Sequence, residues 1–170
     1  MPVSSLPGPW GIGCFSAHAD DFIDALARAG QSIWQILPLG PTGYGDSPYS
    51  SFSTFAGNHY FIDLDRLVDD GLLNSEDLRG LEWGEDAGRV DYGALYASRN
   101  IALRTAFLHA GDVSRDEGFL AFEERNAQWL DDFALFMAVK EYFQKKADEE
   151  GLDGRMWSNY WDRDIRLREP

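Results

Sequence analysis

The first forty residues change from helical periodicity to a continuous apolar run. Ser16 can cap a helix whose apolar positions recur every three or four residues, and Gly30 follows as a stop signal. The apolar positions are Phe22, Ile23, Leu26 and Ala29. The next run, from Ser32 to Leu39, is nearly all apolar, as is typical of a buried parallel strand, since exposed strands alternate in polarity. A helix, a glycine and a strand in this order predict an α/β fold.

The segment from Gly40 to Asn58 has neither a helical nor a strand period. It is rich in glycine, proline, serine, threonine and aromatic residues, which predicts a long loop. In α/β sheets and barrels, ligands are bound by loops at the carboxyl ends of parallel strands. We therefore take residues 38–58, called the 38–58 loop below, as the candidate binding site.

The rest of the chain is mainly helical in pattern. We expect a brief extended segment at Tyr60 to Leu64, short helices near Asp65 to Asp70 and Ser75 to Leu81, and a solvated turn from Gln144 to Arg155. One longer helical face consists of Tyr92, Leu95, Tyr96, Leu103, Ala106, Phe107 and Ala110. A second consists of Phe119, Phe122, Trp129, Phe133, Phe136 and Met137. Ser114 to Glu117 is interpreted as a capping box that starts a new helix between them.

Composition narrows the class of protein. The 170 residues are 44% hydrophobic, enough for a globular core, and 15 Lys and Arg against 29 Asp and Glu give a net charge of −14. That charge repels nucleic acids and anionic membranes and is compatible with a neutral ligand. One cysteine and three histidines have no zinc-like spacing. With no signal peptide or apolar span, we expect a soluble, cytoplasmic protein.

The tip of the 38–58 loop carries the candidate chemistry. Tyr44 and Tyr49 offer aromatic planes for the C–H faces of a sugar, while Asp46 and Ser47 offer oxygens to its hydroxyls. The same residues can equally be ordinary loop anchors, because Asp and Ser often satisfy backbone amides in turns. Spacing alone leaves both interpretations open.

Other polar and aromatic residues favour structural roles. Asp131 and Asp132 are adjacent on a predicted helix, so their side chains point about 100° apart and cannot converge on one atom. Trp157 and Trp161 are four residues apart and fit one packed helix face. Cys14 is interpreted as a small packing residue.

Two stretches carry a resemblance to a known family. They are Ser5-Leu6-Pro7-Gly8-Pro9-Trp10-Gly11-Ile12-Gly13 and the longer Trp34-Gln35-Ile36-Leu37-Pro38-Leu39-Gly40-Pro41-Thr42-Gly43-Tyr44-Gly45-Asp46-Ser47-Pro48-Tyr49-Ser50-Ser51-Phe52-Ser53-Thr54-Phe55-Ala56-Gly57-Asn58. The chain resembles the amylomaltases, or disproportionating enzymes, of glycoside hydrolase family 77. The similarity continues through Tyr60 to Leu64, Trp129 to Phe136 and the segment ending at Pro170, and is loose over residues 71–128.

The resemblance implies a fold and a reaction. The fold would be a (β/α)8 barrel with inserted helical subdomains, residues 1–64 being the start of the barrel and residues 65–170 a mostly helical insertion. The reaction would transfer an α-1,4-glucan segment to the 4-hydroxyl of another chain, with a retaining aspartate nucleophile, a glutamate acid and base, and no cofactor. The catalytic carboxylates are expected beyond Pro170, so the barrel is incomplete here and the isolated chain is expected to be inactive.

The same resemblance ranks the loop residues. Ser47 and Tyr49 match residues on the donor side of the family's active site, and Tyr44 matches an aromatic at a second glucan-binding surface. Asp46 is the weaker candidate, since it can support the loop rather than the sugar. The alternative is a non-catalytic α-glucan-binding or interaction module. A third hypothesis has the missing remainder of the barrel as a partner protein.

Overall fold

The structure is a computed structural model that describes residues 1–43, 45–152 and 158–169. Its α-helices are α1 (Ala17–Arg28), α2 (Leu64–Asp69), α3 (Ser75–Leu78), α4 (Tyr92–Ala110), α5 (Glu117–Asn126), α6 (Leu130–Glu149) and α7 (Arg163–Leu167). Short 3₁₀ turns lie at Val3–Ser5, His59–Phe61 and Val113–Arg115.

The chain divides into two compact units, Met1–Arg115 and Asp116–Pro170. The predicted boundary after residue 64 falls inside the first unit. The predicted boundary separates the start of a barrel from an inserted helical subdomain, and it stays a prediction.

Helix α1 ends as its sequence predicts. Gly30 adopts a φ of 74°, and the N–H of Gln31 then donates to the carbonyl of Leu26 at 2.9 Å, closing the last turn. At the other end Ser16 occupies the cap position, but its side chain caps none of the described backbone amides. Buried Ala19 packs with Val3 and Leu6, so the helix rests on the N-terminal turn.

The predicted buried strand at residues 32–39 is not confirmed by the part of the chain that the structure describes. The segment forms no strand there: Ile33 is 83% exposed, while Trp34, Ile36 and Leu39 pack against the cluster around Val3. A strand requires a neighbouring backbone to pair its amides and carbonyls, and the described residues form no such ladder along this segment, although the N–H of Asn58 donates to the carbonyl of Leu39. It is therefore an irregular segment with a packed face and an exposed face.

Helix α4 is the central element of the first unit. Its buried positions Leu95, Ala102 and Ala106 follow helical spacing, and the last two join Leu64 and Leu78 in one apolar cluster. The predicted apolar face of α4 included too many residues, because Tyr96 and Phe107 are exposed. Neighbouring positions such as 95 and 96 point in different directions, so only part of the apolar set can be buried.

Three further local predictions need correction. Residues 60–64 are extended only in part: Asn58 accepts a hydrogen bond from the N–H of Tyr60 and starts a 3₁₀ turn, while Ile62 and Asp63 have extended backbone angles. Helix α5 is capped by Asp116, not Ser114, with the N–H of Phe119 donating to the Asp116 carboxylate at 2.7 Å. Helix α6 continues to Glu149 through the charged stretch predicted as a turn, because a charged sequence can form an exposed helical face. Residues 153–155 of that stretch lie outside the described residues.

The second unit is held by aromatic packing. Phe143 and Ala147 are buried on α6, and the ring centroids of Phe136 and Phe143 each lie 6.0 Å from that of Trp161. This confirms a packing role for Trp161, while Trp157 lies outside the described residues. Asp131 and Asp132 are exposed, and Asp132 pairs with Arg168 at 2.8 Å, as expected for a solvated face.

Within the described ranges, no helix has both the length and the apolar character needed to cross a membrane. The same residues contain no group of three or more His, Cys, Asp or Glu side chains that could hold a metal ion.

Candidate functional site

Backbone hydrogen bonds close the base of the 38–58 loop. The N–H of Asn58 donates to the carbonyl of Leu39 at 2.8 Å, and Thr42 and Ser51 form an antiparallel bridge closer to the tip. Asn58 is itself buried, and its side chain starts the following 3₁₀ turn. The two ends of the loop therefore lie side by side, and the tip between them is short.

Two successive turns shape this tip. The N–H of Asp46 donates to the carbonyl of Gly43 at 3.1 Å, and the N–H of Ser50 donates to the carbonyl of Ser47 at 3.0 Å. Gly45 and Asp46 both have positive φ, 87° and 51°. Asp is one of the few residues besides glycine that tolerate this region, which explains its place after Gly45.

The serines after the tip have structural roles. Ser51 Oγ donates to the carbonyl of Ser53 at 2.7 Å, and Ser53 Oγ accepts from the N–H groups of Phe55 and Ala56 at 3.3 and 3.0 Å. A Cβ on Gly40 would lie 2.3 Å from Ser51 Oγ and 2.9 Å from the Ser53 carbonyl oxygen. The returning arm of the loop thus packs directly on the backbone of Gly40 and is held by side-chain hydrogen bonds, without regular secondary structure.

The predicted site residues are brought together on the tip, with one outside the described residues. Tyr49 is 75% exposed, and its N–H donates to Ser47 Oγ at 3.4 Å. Ser47 and Asp46 are half-buried. Tyr44 lies outside the described residues. The assignment of these four residues to sugar binding stays a prediction.

A cavity of about 110 Å³ lies beneath the tip. Its polar lining comes from Ser4, Thr42, Asp46, Asn58 and Tyr92, and the rest of its wall is mostly apolar. Pockets that enclose organic ligands typically measure about 300–1,000 Å³, so this cavity is too small for an oligosaccharide.

The carboxylate of Asp46 faces this interior. Burial raises the pKa of the Asp46 carboxyl, partly opposed by a hydrogen bond from Thr42, whose Oγ1 lies 3.4 Å from Oδ1. Burial is also the main cause that raises the pKa of Tyr60 to about 12, and the charge of Asp46 adds to it. The pKa of Tyr92 is raised by the same two causes. Asp46 is thus close enough to both phenols for its negative charge to raise their pKa values.

Sequence reasoning missed the residues that support the loop from below. Tyr60 and Tyr92 lie outside the loop, and their ring centroids are 6.3 Å apart. Fully buried Arg99 on α4 donates to the carbonyl of Ile62, 37 residues away, and its guanidinium carbon lies 6.0 Å from the centroid of the Trp83 ring. No local spacing could have found these partners, although an arginine at the same helical spacing as Leu95 and Ala106 was a visible signal.

Cys14 is buried close to Asp63 and Arg99. Burial raises the pKa of its thiol, and the negative charge of Asp63 raises it further. A thiol that resists ionisation is a poor nucleophile, which supports the packing role expected for this residue.

A wider open groove of about 450 Å³ runs between the start of α1 and α2. It is lined by His18, Arg66 and several carboxylates, including Asp20, Asp63 and Asp69. One exposed ring, Phe15, borders it. Most of its charged lining is therefore acidic.

Comparison with known proteins identifies the family. Residues 1–170 match the family model Glyco_hydro_77, described as 4-alpha-glucanotransferase. The chain is 49% identical to the 4-alpha-glucanotransferase of Streptococcus pneumoniae over 99% of its own length and 32% of that protein's. It is 47% identical to that of Thermus thermophilus, over 98% of this chain and 31% of that protein.

A solved structure agrees with these relatives. The amylomaltase from Streptococcus agalactiae, in complex with acarbose, matches with a TM-score of 0.85 at 36% identity, covering 100% of this chain and 32% of that one. The chain thus spans about a third of the length of the relatives it matches. On these grounds, the chain belongs to the 4-alpha-glucanotransferase family, glycoside hydrolase family 77.

Proposed function

We propose that this chain is part of an amylomaltase-type 4-alpha-glucanotransferase that transfers α-1,4-glucan segments between maltodextrins, and that its 38–58 loop binds the glucan. The observation that carries the proposal is the 75% exposed ring of Tyr49 on a loop tip closed by backbone hydrogen bonds. Because the backbone that carries this ring is already hydrogen-bonded, little backbone conformational entropy is lost when a ligand stacks on it.

The contacts follow from the groups at the tip. The Tyr49 ring stacks on the C–H face of a glucosyl unit, and the Ser47 hydroxyl donates to a sugar oxygen while its own oxygen accepts the Tyr49 N–H. Tyr44 provides a second aromatic plane in this proposal. Asp46 is the weaker candidate for a sugar contact, since it can support the loop instead.

The chemistry is assigned to another part of the protein. A retaining transfer needs two carboxyl groups about 5–5.5 Å apart on either side of the scissile bond. We place the aspartate nucleophile and the glutamate acid and base outside these 170 residues, with residues 1–64 beginning the (β/α)8 barrel and residues 65–170 inserted in it. The chain by itself is then expected to bind glucan without transferring it.

Titration with maltoheptaose tests the binding site. We expect saturable binding at millimolar or lower concentrations, and an affinity at least about tenfold weaker for Tyr49→Ala, equivalent to about 1.4 kcal/mol, because the stacking plane is lost. Tyr142→Ala is the matched control, since Tyr142 is also exposed but lies in the second unit. A folded chain without saturable binding, or an equal loss in both variants, would refute the proposal.

Transfer activity is tested with maltotriose. The chain alone should produce neither glucose nor longer maltodextrins, because it lacks the reacting carboxylates. A chimera in which this chain replaces the matching third of the Streptococcus pneumoniae relative should produce both. Transfer by the chain alone would show that the carboxylates were assigned to the wrong part of the protein. A folded but inactive chimera would favour a non-catalytic glucan-binding module.

A further inference from the structure

Asp46 and Tyr49 share the loop tip but face different surroundings. Tyr49 is exposed, whereas Asp46 is half-buried and lines the cavity beneath the loop together with Thr42, Asn58 and Tyr92. The nearest polar contact of its carboxylate is Thr42 Oγ1, 3.4 Å from Oδ1. The carboxylate of Asp46 is therefore directed to the inner side of the loop.

The backbone at Asp46 explains how this direction is reached. Gly45 and Asp46 are consecutive residues with positive φ, and the N–H of Asp46 closes a turn onto Gly43. Ser47 follows directly and begins the turn that carries Tyr49. Any change that releases the Asp46 side chain would therefore alter the backbone immediately before the two proposed sugar contacts.

The environment of this carboxylate does not favour its charge. Burial raises the pKa of Asp46, so the charged form is less favourable here than in water. The titratable groups that face it are the phenols of Tyr60 and Tyr92, whose pKa values are also raised. The charge of Asp46 therefore does not stabilise this position, and the role of the residue rests on the hydrogen bond that its side chain accepts from Thr42.

We propose that Asp46 is a positioning residue: its inward carboxylate, acting with Thr42, holds the loop tip so that Ser47 and Tyr49 face the glucan. Asp46 makes no contact with the sugar. This inference rests on the proposed function, since it assigns a role within the same binding site.

A double-mutant cycle on the full chain tests the inference, with maltoheptaose as the probe. Thr42→Val and Asp46→Ala should each weaken binding about fivefold, the value of one side-chain hydrogen bond. The double variant should be no weaker than Asp46→Ala, because both changes remove the same interaction. Asp46→Asn should bind within about twofold of wild type, since asparagine keeps an acceptor oxygen and tolerates positive φ.

The cycle separates positioning from direct contact. If Thr42→Val binds as wild type while Asp46→Ala is weakened, Asp46 contacts the sugar itself and the inference is wrong. Unchanged binding in Asp46→Ala also overturns it. Should Asp46→Ala fail to fold by circular dichroism, Thr42→Val and Asp46→Asn still decide: a fivefold loss in the first with rescue in the second supports positioning, and any other pair of results refutes it.

The Tyr49→Ala variant distinguishes this inference from the proposed function. Absence of binding in the wild-type chain means that the proposed function fails. Loss of binding in Tyr49→Ala, with Thr42→Val and Asp46→Ala both unaffected, means that only the positioning role fails.

Thermal unfolding gives a second readout. A carboxyl whose pKa is raised on folding stabilises the protein below its unfolded value, 3.8, and this contribution is lost as the pH rises through the folded value. Asp46→Asn should therefore be at least as stable as wild type at about pH 7, and the two should converge at about pH 3. A clearly less stable Asp46→Asn at neutral pH would show that the charge serves the fold, contrary to the inference.

Discussion

Leu95→Ala is expected to lower the free energy of unfolding of the first unit by about 2–5 kcal/mol. Leu95 is 0% exposed and packs with Ile12 and Tyr60 below the 38–58 loop. Truncation removes its apolar contacts and leaves a cavity, because close-packed neighbours relax only partly. Domains are typically stable by about 5–15 kcal/mol, so this one change removes a large share.

Leu108→Ala is the matched control for Leu95→Ala. It makes the same substitution on the same helix, α4, but Leu108 is 72% exposed. We expect a change within about 0.5 kcal/mol, as for surface sites that bury little. Urea denaturation followed by far-ultraviolet circular dichroism and tryptophan fluorescence measures both, with separate transitions fitted if the two units unfold independently. Similar losses in the two variants would contradict the packing of α4.

Gly13→Ala is expected to cost about 1–3 kcal/mol or more, the range found when atoms are forced into a packed site. The added Cβ would lie 2.2 Å from the carbonyl oxygen of Val3 and 2.6 Å from the backbone nitrogen and oxygen of Leu6. These are backbone atoms and cannot rotate away as a side chain can. The N–H of Gly13 also donates to the carbonyl of Ser4 at 3.1 Å, so the N-terminal turn has to move.

Gly57→Ala controls for the general effect of adding a methyl group. Gly57 has a φ outside the left-handed region, and, apart from Gly57 and its two chain neighbours, no described residue has an atom within 4 Å of the place that an added Cβ would take. A change between neutral and about 1 kcal/mol of stabilisation is expected, because alanine restricts the unfolded chain. Melting temperatures of the two variants test the contrast. Equal melting temperatures would mean that the N-terminal turn does not pack on Gly13 as described.

Local preferences were enough to locate several elements. Gly30 ends α1 where its position after an apolar periodic run predicts, because a residue with positive φ stops a helix without tertiary help. The glycines and prolines of residues 40–58 likewise predict an irregular loop, and the structure has one. These features depend on the φ preferences of single residues, which are properties of the chain itself.

Predictions that needed a partner were less successful. Residues 32–39 have the composition of a buried strand, but a strand exists only where another backbone accepts its hydrogen bonds. The predicted cap of α5 was Ser114, and the observed cap is Asp116. Both residues can cap a helix, and the geometry of the preceding turn selects one. The charged end of α6 stayed helical because a solvated face needs no apolar residues.

The candidate site divides in the same way. Ser47 and Tyr49 could be named from their motif, since they are close in sequence and share one turn. The inward direction of the Asp46 side chain could not be predicted from the motif, nor could its proximity to Tyr60 and Tyr92. These tyrosines are 14 and 46 positions away in the chain, and only tertiary packing brings them near Asp46. The backbone preferences of the sequence determined the position of the 38–58 loop and of Tyr49 on its tip. Only the tertiary structure decided which residues lie beneath the loop, because burial and long-range contacts are not encoded in a local pattern.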